Sequence, residues 1–340
     1  MTTGWQRLTA AIAEAGAQIA GVAPDAATAG EGEAYVTRIV TAGLAGAVLG
    51  HLFREDGLSR ALPCHGGPNP DYRMFHSPID PARSYRLSGQ LNGSERVGVG
   101  LYRFGENGTL LAAGYAAFDA ESAAPDGTFA LDMSPDAAGP GSLALQPGTK
   151  ILLIRVLHRG PASQAADLAL EGPPAATGLA LMTGSNDGAL AFVAASLGNT
   201  VREYLKWTET ARDLANRLGE APAHLTATVQ GDPDTVYLLG GFVLDEGEWL
   251  EVTMPAGLAG YWSLHAYNYW FEPLQTPGLH DRNAVAASDG TVTVAIGPDT
   301  PASAPNRIDT GNRGRGALIC RIIGGLPDRP SARVRHADKS

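Results

Sequence analysis

The densest run of side chains capable of chemistry is YWSLHAYNYWFE, residues 261–272. In a strand, successive side chains point to opposite faces. Trp262, Leu264, Ala266 and Trp270 then face one way, and Tyr261, Ser263, His265, Tyr267, Tyr269 and Phe271 the other. An imidazole titrates near neutral pH, so His265 can move a proton if a carboxylate, Glu272 or Asp309, orients it. The phenols of Tyr267 and Tyr269 would donate to developing oxygen charge, while Tyr261 and Ser263 complete a polar, aromatic pocket wall. The turn PNRIDTGNRGRGAL (305–318) adds Asn306 and Arg313 among glycines, whose backbone freedom lets groups converge on a polar or anionic ligand.

Stronger signatures are absent from the sequence. No H-E-x-x-H or H-x-H spacing brings two histidines to one metal, and two cysteines, Cys64 and Cys320, cannot supply a four-ligand zinc site. There is no G-x-S-x-G elbow, phosphate loop or dinucleotide fingerprint. No metal and no cofactor are expected. In CHGGPNPDYRMF (64–75), Asn69 and Asp71 read as turn-fixing side chains.

The bulk properties narrow the partners. A formal charge of −10 over 340 residues argues against nucleic acid and anionic membranes, both of which need clustered positive charge. Residues 41–53, the longest uncharged apolar stretch near the N-terminus, fall short of the roughly 20 residues of a membrane span. Glu14 and Gln18 interrupt the early apolar run, against a signal peptide. The expectation is a soluble, cytoplasmic protein with reduced cysteines and a small-molecule ligand, its oligomeric state open.

Positioning the candidate groups requires a mainly β architecture. Tyr35, Ile39, Ala42, Gly46, Leu49 and Phe53 have helical spacing, with Gly43, Gly46 and Gly50 allowing close packing. Residues 1–62 therefore read as an N-terminal helical segment. Strand-length runs separated by Pro, Gly, Asn and Asp turns make 63–157 a first β-sandwich unit. Residues 158–234 read as a helical connector: a short helix over Leu190–Leu197, then one opened by a Thr200/Glu203 capping box and stopped at Gly219. From 235 to 340 the β texture returns as a copy. An offset of 165 places Leu87-Ser88 on Val252-Thr253 and Tyr102 on Tyr267, and Arg155 of ILLIRVL meets Arg321 of ALICRII. The copies differ on one face, where Gly98 and Gly100 stand against Ser263 and His265. That difference singles out the decorated face of the second unit as the candidate site.

PNPDYRMFHSPIDPARSYRLSG, YWSLHAYNYWFE and APNRIDTGNRGRGALICRI resemble, in order and spacing, bacterial proteins carrying the domain of unknown function 1214. The resemblance covers most of residues 63–335, and its most specific part is Tyr261-Trp262-Ser263, followed by DGTVTV and Asn306. It implies a jelly-roll sandwich for the second unit and a β-sandwich for the first. The chain departs from the family pattern at Asn306-Arg307-Ile308, where members carry Asn-Trp-Leu, and at Gly141-Ser142-Leu143 in the first unit. The family has no agreed reaction, so two functions stay open. One is a cofactor-independent hydrolase, lyase or isomerase acting on a small, largely apolar steroid, terpenoid or aromatic metabolite, with His265, Asp309 and Glu272 catalytic. The other is a non-catalytic binding protein for a carbohydrate or hydrophobic ligand.

Overall fold

Period-two burial organises the described residues into four sheets. The computed structural model describes residues 3–49, 54–60, 66–105, 110–172, 186–223, 225 and 231–336. Cys64, Gly50 and Phe53 lie outside them. Ten strands form the first unit: β1 (Arg54–Glu55), β2 (Leu58–Arg60), β3 (Tyr72–Pro78), β4 (Tyr85–Gln90), β5 (Arg96–Phe104), β6 (Leu110–Phe118), β7 (Thr128–Ser134), β8 (Ser142–Ala144), β9 (Thr149–Leu157) and β10 (Asp167–Glu171). One sheet runs β1-β2-β3-β9-β5-β6, the other β10-β4-β7-β8. Val97, Val99, Leu101, Leu152, Ile154 and Val156 of the first sheet meet Leu87, Phe129, Leu131 and Met133 of the second in one core. Each such side chain contributes about 1.5–3 kcal/mol by leaving water.

Nine strands form the second unit: β11 (Arg217–Glu220), β12 (Thr235–Val243), β13 (Glu248–Met254), β14 (Trp262–Tyr267), β15 (Leu279–His280), β16 (Val292–Gly297), β17 (Arg307–Asp309), β18 (Arg315–Ile323) and β19 (Ser331–His336). Their orders, β11-β12-β18-β14-β15 and β17-β16-β13-β19, repeat those of the first unit apart from its extra edge strand β1. The register repeats too. Gly98 lies opposite Arg155 as Ser263 lies opposite Arg321, and Gly100 opposite Leu153 as His265 opposite Ile319. Strands β10 and β11 fall inside the span expected to be a helical connector. They are short edge strands, β10 paired with β4 and β11 with β12, which no local pattern announces.

Among the described residues three long α-helices accompany the sheets: α1 (Gly4–Val22), α2 (Ala26–Leu44) and α3 (Asp187–Asp213). Thr3 and Gln6 close a capping box on α1, and Asp25 caps α2 by accepting from the Thr28 N–H. Helix α3 runs unbroken through Thr200, so the expected capping box there does not form. Val193, Ala194, Leu197 and Val201 are a continuous buried stripe, and packing along it overrides the local signal. Leu218 and Gly219 belong to β11, not to a helix end. Gly43 packs on Val193, whereas Gly46 has open space beside it. Ile19, Tyr35, Ile39, Leu197, Val201 and Trp270 bind the three helices together. Trp207 and Ala211 of α3 then seat them on Leu239, Tyr267, Ala317 and Ile319 of the second unit. Among the described residues no helix is long and apolar enough to cross a membrane.

Candidate functional site

Trp262, Leu264 and Ala266 point into the second sandwich core, which leaves Ser263, His265 and Tyr267 on the opposite face of β14. The strand stops at Tyr267 instead of continuing to Glu272. The Asn268 side chain accepts from the backbone N–H groups of Trp270 (3.0 Å) and Glu272 (2.9 Å), curling the chain into a turn in which Phe271 takes a left-handed φ of 59°. Trp270 therefore leaves the sandwich core. It stacks on Tyr35 at 6.2 Å and donates through Nε1 to the Thr28 carbonyl at 2.9 Å. Tyr269 reaches the Val22 carbonyl at 3.4 Å.

The proposed catalytic set does not assemble. His265 is 3 % exposed, its Nδ1 has no hydrogen-bond partner among the described residues, and its ring is packed beneath Gly278. Nε2 faces Asp71 Oδ1 at 3.8 Å, too far for a hydrogen bond. Burial, followed by the charges of Arg321 and His280, pushes its pKa down to about 3, so it is neutral at physiological pH. Glu272 is occupied by the Arg38 guanidinium of α2 and by Asn268. Asp309 is exposed and accepts from the Gly311 N–H at 2.8 Å, an Asx turn. Neither carboxylate orients His265.

The remaining expected ligand groups are mostly structural. Asn306 is buried and bonds both backbone groups of Val285 (2.7 and 2.8 Å) and the Thr293 carbonyl (3.0 Å), pinning a loop to β16. Arg313 pairs with Glu31 of α2 at 2.6 Å, so the glycine-rich turn docks a helix. Ser263 is wholly buried. Tyr261 accepts from Asn69 Nδ2 (2.6 Å) and donates to Asp71 (2.7 Å), which gives those two turn residues a second task at the seam between the units.

Tyr267 alone leads to an open site. Its hydroxyl donates to the Pro68 carbonyl at 2.8 Å and accepts from Arg321 Nη1 at 3.0 Å, and Arg321 Nη2 donates to the Gly67 carbonyl. Gly67 has a φ of 62°, a left-handed backbone conformation that favours glycine. Arg321 lines a cavity of about 760 Å³ between the two units, walled by Trp207, Tyr237, Leu239, Ile319 and the 66–70 turn. The same walls carry Arg60, Arg73 and Arg155, against one carboxylate among the described residues, Asp232. Asp232 is already neutralised by Arg96 at 2.9 Å. A protein of net charge −10 thus concentrates cations in one recess, where low-dielectric walls focus their field. Arg155 donates to the Tyr102 hydroxyl at 2.8 Å, the repeat-related counterpart of the Arg321–Tyr267 pair. A second chamber of about 670 Å³, walled by Tyr102 and Tyr115, shares Asp232 and Tyr237 with the first.

Neither arginine stood out as a site residue in the sequence, yet a signal was present. ILLIRVL and ALICRII each place one arginine at the same position of an otherwise apolar strand. A charge there must face something other than a hydrophobic core.

The chain is similar over 98 % of its length to an uncharacterised protein from Burkholderia cenocepacia, at 24 % identity and a TM-score of 0.85, with 96 % of that chain covered. It is similar over 88 % of its length to a Vibrio parahaemolyticus protein, at 12 % identity and a TM-score of 0.48, with 97 % of that chain covered. Neither a protein-family model nor a curated protein matches it. The first likeness shows the fold, a mainly β, sandwich-like chain with four sheets and three long α-helices among the described residues.

Proposed function

We propose that the protein is a non-catalytic binder of a small, largely apolar molecule bearing an anionic group, held in the inter-unit cavity with its charge on Arg321. One observation carries the reading. Arg321 is 6 % exposed, and its two hydrogen bonds go to neutral oxygens, those of Tyr267 and Gly67, with no ion pair among the described residues. A guanidinium has five N–H donors and stays charged in proteins, so a buried one without a counter-ion calls for an anion. Trp207, Leu239 and Ile319 supply the apolar wall beside it, in the proportions usual for small-molecule pockets of about 300–1,000 Å³. The sealed, neutral His265 favours binding over the hydrolase, lyase or isomerase reading.

We assign the two sandwich units a jelly-roll-like topology, supported by their common strand order, and place the chain with the domain 1214 proteins on Tyr261-Trp262-Ser263 and Asn306. A soluble, cytoplasmic setting without nucleic-acid partners fits the net charge of −10 and the buried thiol of Cys320, whose pKa burial raises to about 12.

Thermal shift and calorimetry with octanoate, octanol and octylamine test the function. Octanoate should raise Tm and the other two should not, because binding to the native state alone stabilises it in proportion to affinity. Arg321→Gln should abolish the octanoate shift. Equal binding of octanol and octanoate would refute the reading.

A further inference from the structure

We propose that the ligand carries two anionic groups joined by an apolar body, one group held at the Arg321–Tyr267 pair and the other at the Arg155–Tyr102 pair. The inference rests on the anion-binding reading above and adds the ligand's second charge.

The argument comes from the repeat. Both arginines stand at the same register of equivalent strands, β9 and β18, and each hydrogen-bonds the tyrosine of the equivalent neighbour, β5 or β14, at 2.8 and 3.0 Å. Both guanidiniums line the same cavity. Two positions earlier on each strand, on the same face, an aliphatic side chain, Leu153 or Ile319, lines it as well. Each repeat therefore offers the cavity an aliphatic residue followed by a cation, and the two offers meet across one volume. Tyr237, on β12, lines the same cavity: it lies opposite Arg321 in the sheet, and both guanidiniums act electrostatically on its phenol. Its hydroxyl accepts from the Asp232 N–H at 3.1 Å, which fixes the ring in the wall. A ligand complementary to such walls alternates as anion, apolar stretch, anion. The class is the α,ω-dicarboxylates or their equivalents with another pair of acidic ends.

Suberate and octanoate have the same carbon skeleton and differ by one carboxylate, so calorimetry with both on the intact protein isolates the second charge. A charge-assisted hydrogen bond makes suberate about 10–100-fold tighter than octanoate. Arg155→Gln should reduce suberate to the affinity of octanoate. Equal affinity of the two acids for the wild-type protein, or suberate binding unchanged in Arg155→Gln, overturns the second anionic site while leaving the first standing. Failure of octanoate as well as suberate overturns both.

Discussion

Acidification from about pH 7 to about pH 5 should cost the folded protein about 2 kcal/mol through His265 alone. The imidazole is buried and neutral, with a folded pKa of about 3 against 6.5 for a free side chain. Between those values the unfolded chain binds a proton that the native chain refuses, so stability rises with pH across this window. The contribution is complete above the unfolded pKa and is lost progressively as pH falls below it, at up to about 1.4 kcal/mol per pH unit. Working above about pH 5 keeps most carboxylates ionised, which separates their titration from that of the histidine. Urea unfolding followed by tryptophan fluorescence at several pH values gives the slope for the wild type and for His265→Gln. The substitution carries a pH-independent packing cost, but the difference between the two slopes belongs to the imidazole. Parallel slopes would show that His265 is hydrated and protonatable, and the case for a sealed residue would fall.

Other residues give equally direct tests. Gly32→Ala, which in an ordinary helix gains about 1 kcal/mol, should here lose about 1–3 kcal/mol in urea unfolding, because the new Cβ collides with Ile19 and lies 2.9 Å from the Trp270 ring. Arg96→Met leaves Asp232, 3 % exposed, without its main counter-ion and should cost about 3–5 kcal/mol by the same assay. Tyr267→Phe removes the hydroxyl that bridges Arg321 and the Pro68 carbonyl; a loss of about 1–3 kcal/mol in stability, with weaker octanoate binding by calorimetry, is expected.

How far the sequence reached depends on the range of the interactions involved. The alternation of Val97, Val99 and Leu101, and of Trp262, Leu264 and Ala266, marked the core-facing sides of β5 and β14, because a period of two is local. The offset between the copies also survives residue by residue in the pairings of β5 with β9 and β14 with β18. Asn268 broke the strand for a reason that spacing does not contain: its amide competes for the backbone N–H groups of Trp270 and Glu272. Glu272 and Arg313 looked like site residues because they are polar in a dense polar segment, yet their partners, Arg38 and Glu31, lie more than two hundred residues away on α2. His265 failed as a catalyst through Gly278, which packs over its ring from a loop that no pattern links to β14. The cavity was invisible for the same cause, since its walls come from both units and from α3.

Crystals grown with octanoate would test the binding account most directly. The account predicts a carboxylate against the Arg321 guanidinium, with the alkyl chain running along Ile319 and Leu239 toward Trp207. A cavity filled with ordered water, or octanoate found only on the outer surface with Arg321 still bonded to Tyr267 and Gly67 alone, would contradict it.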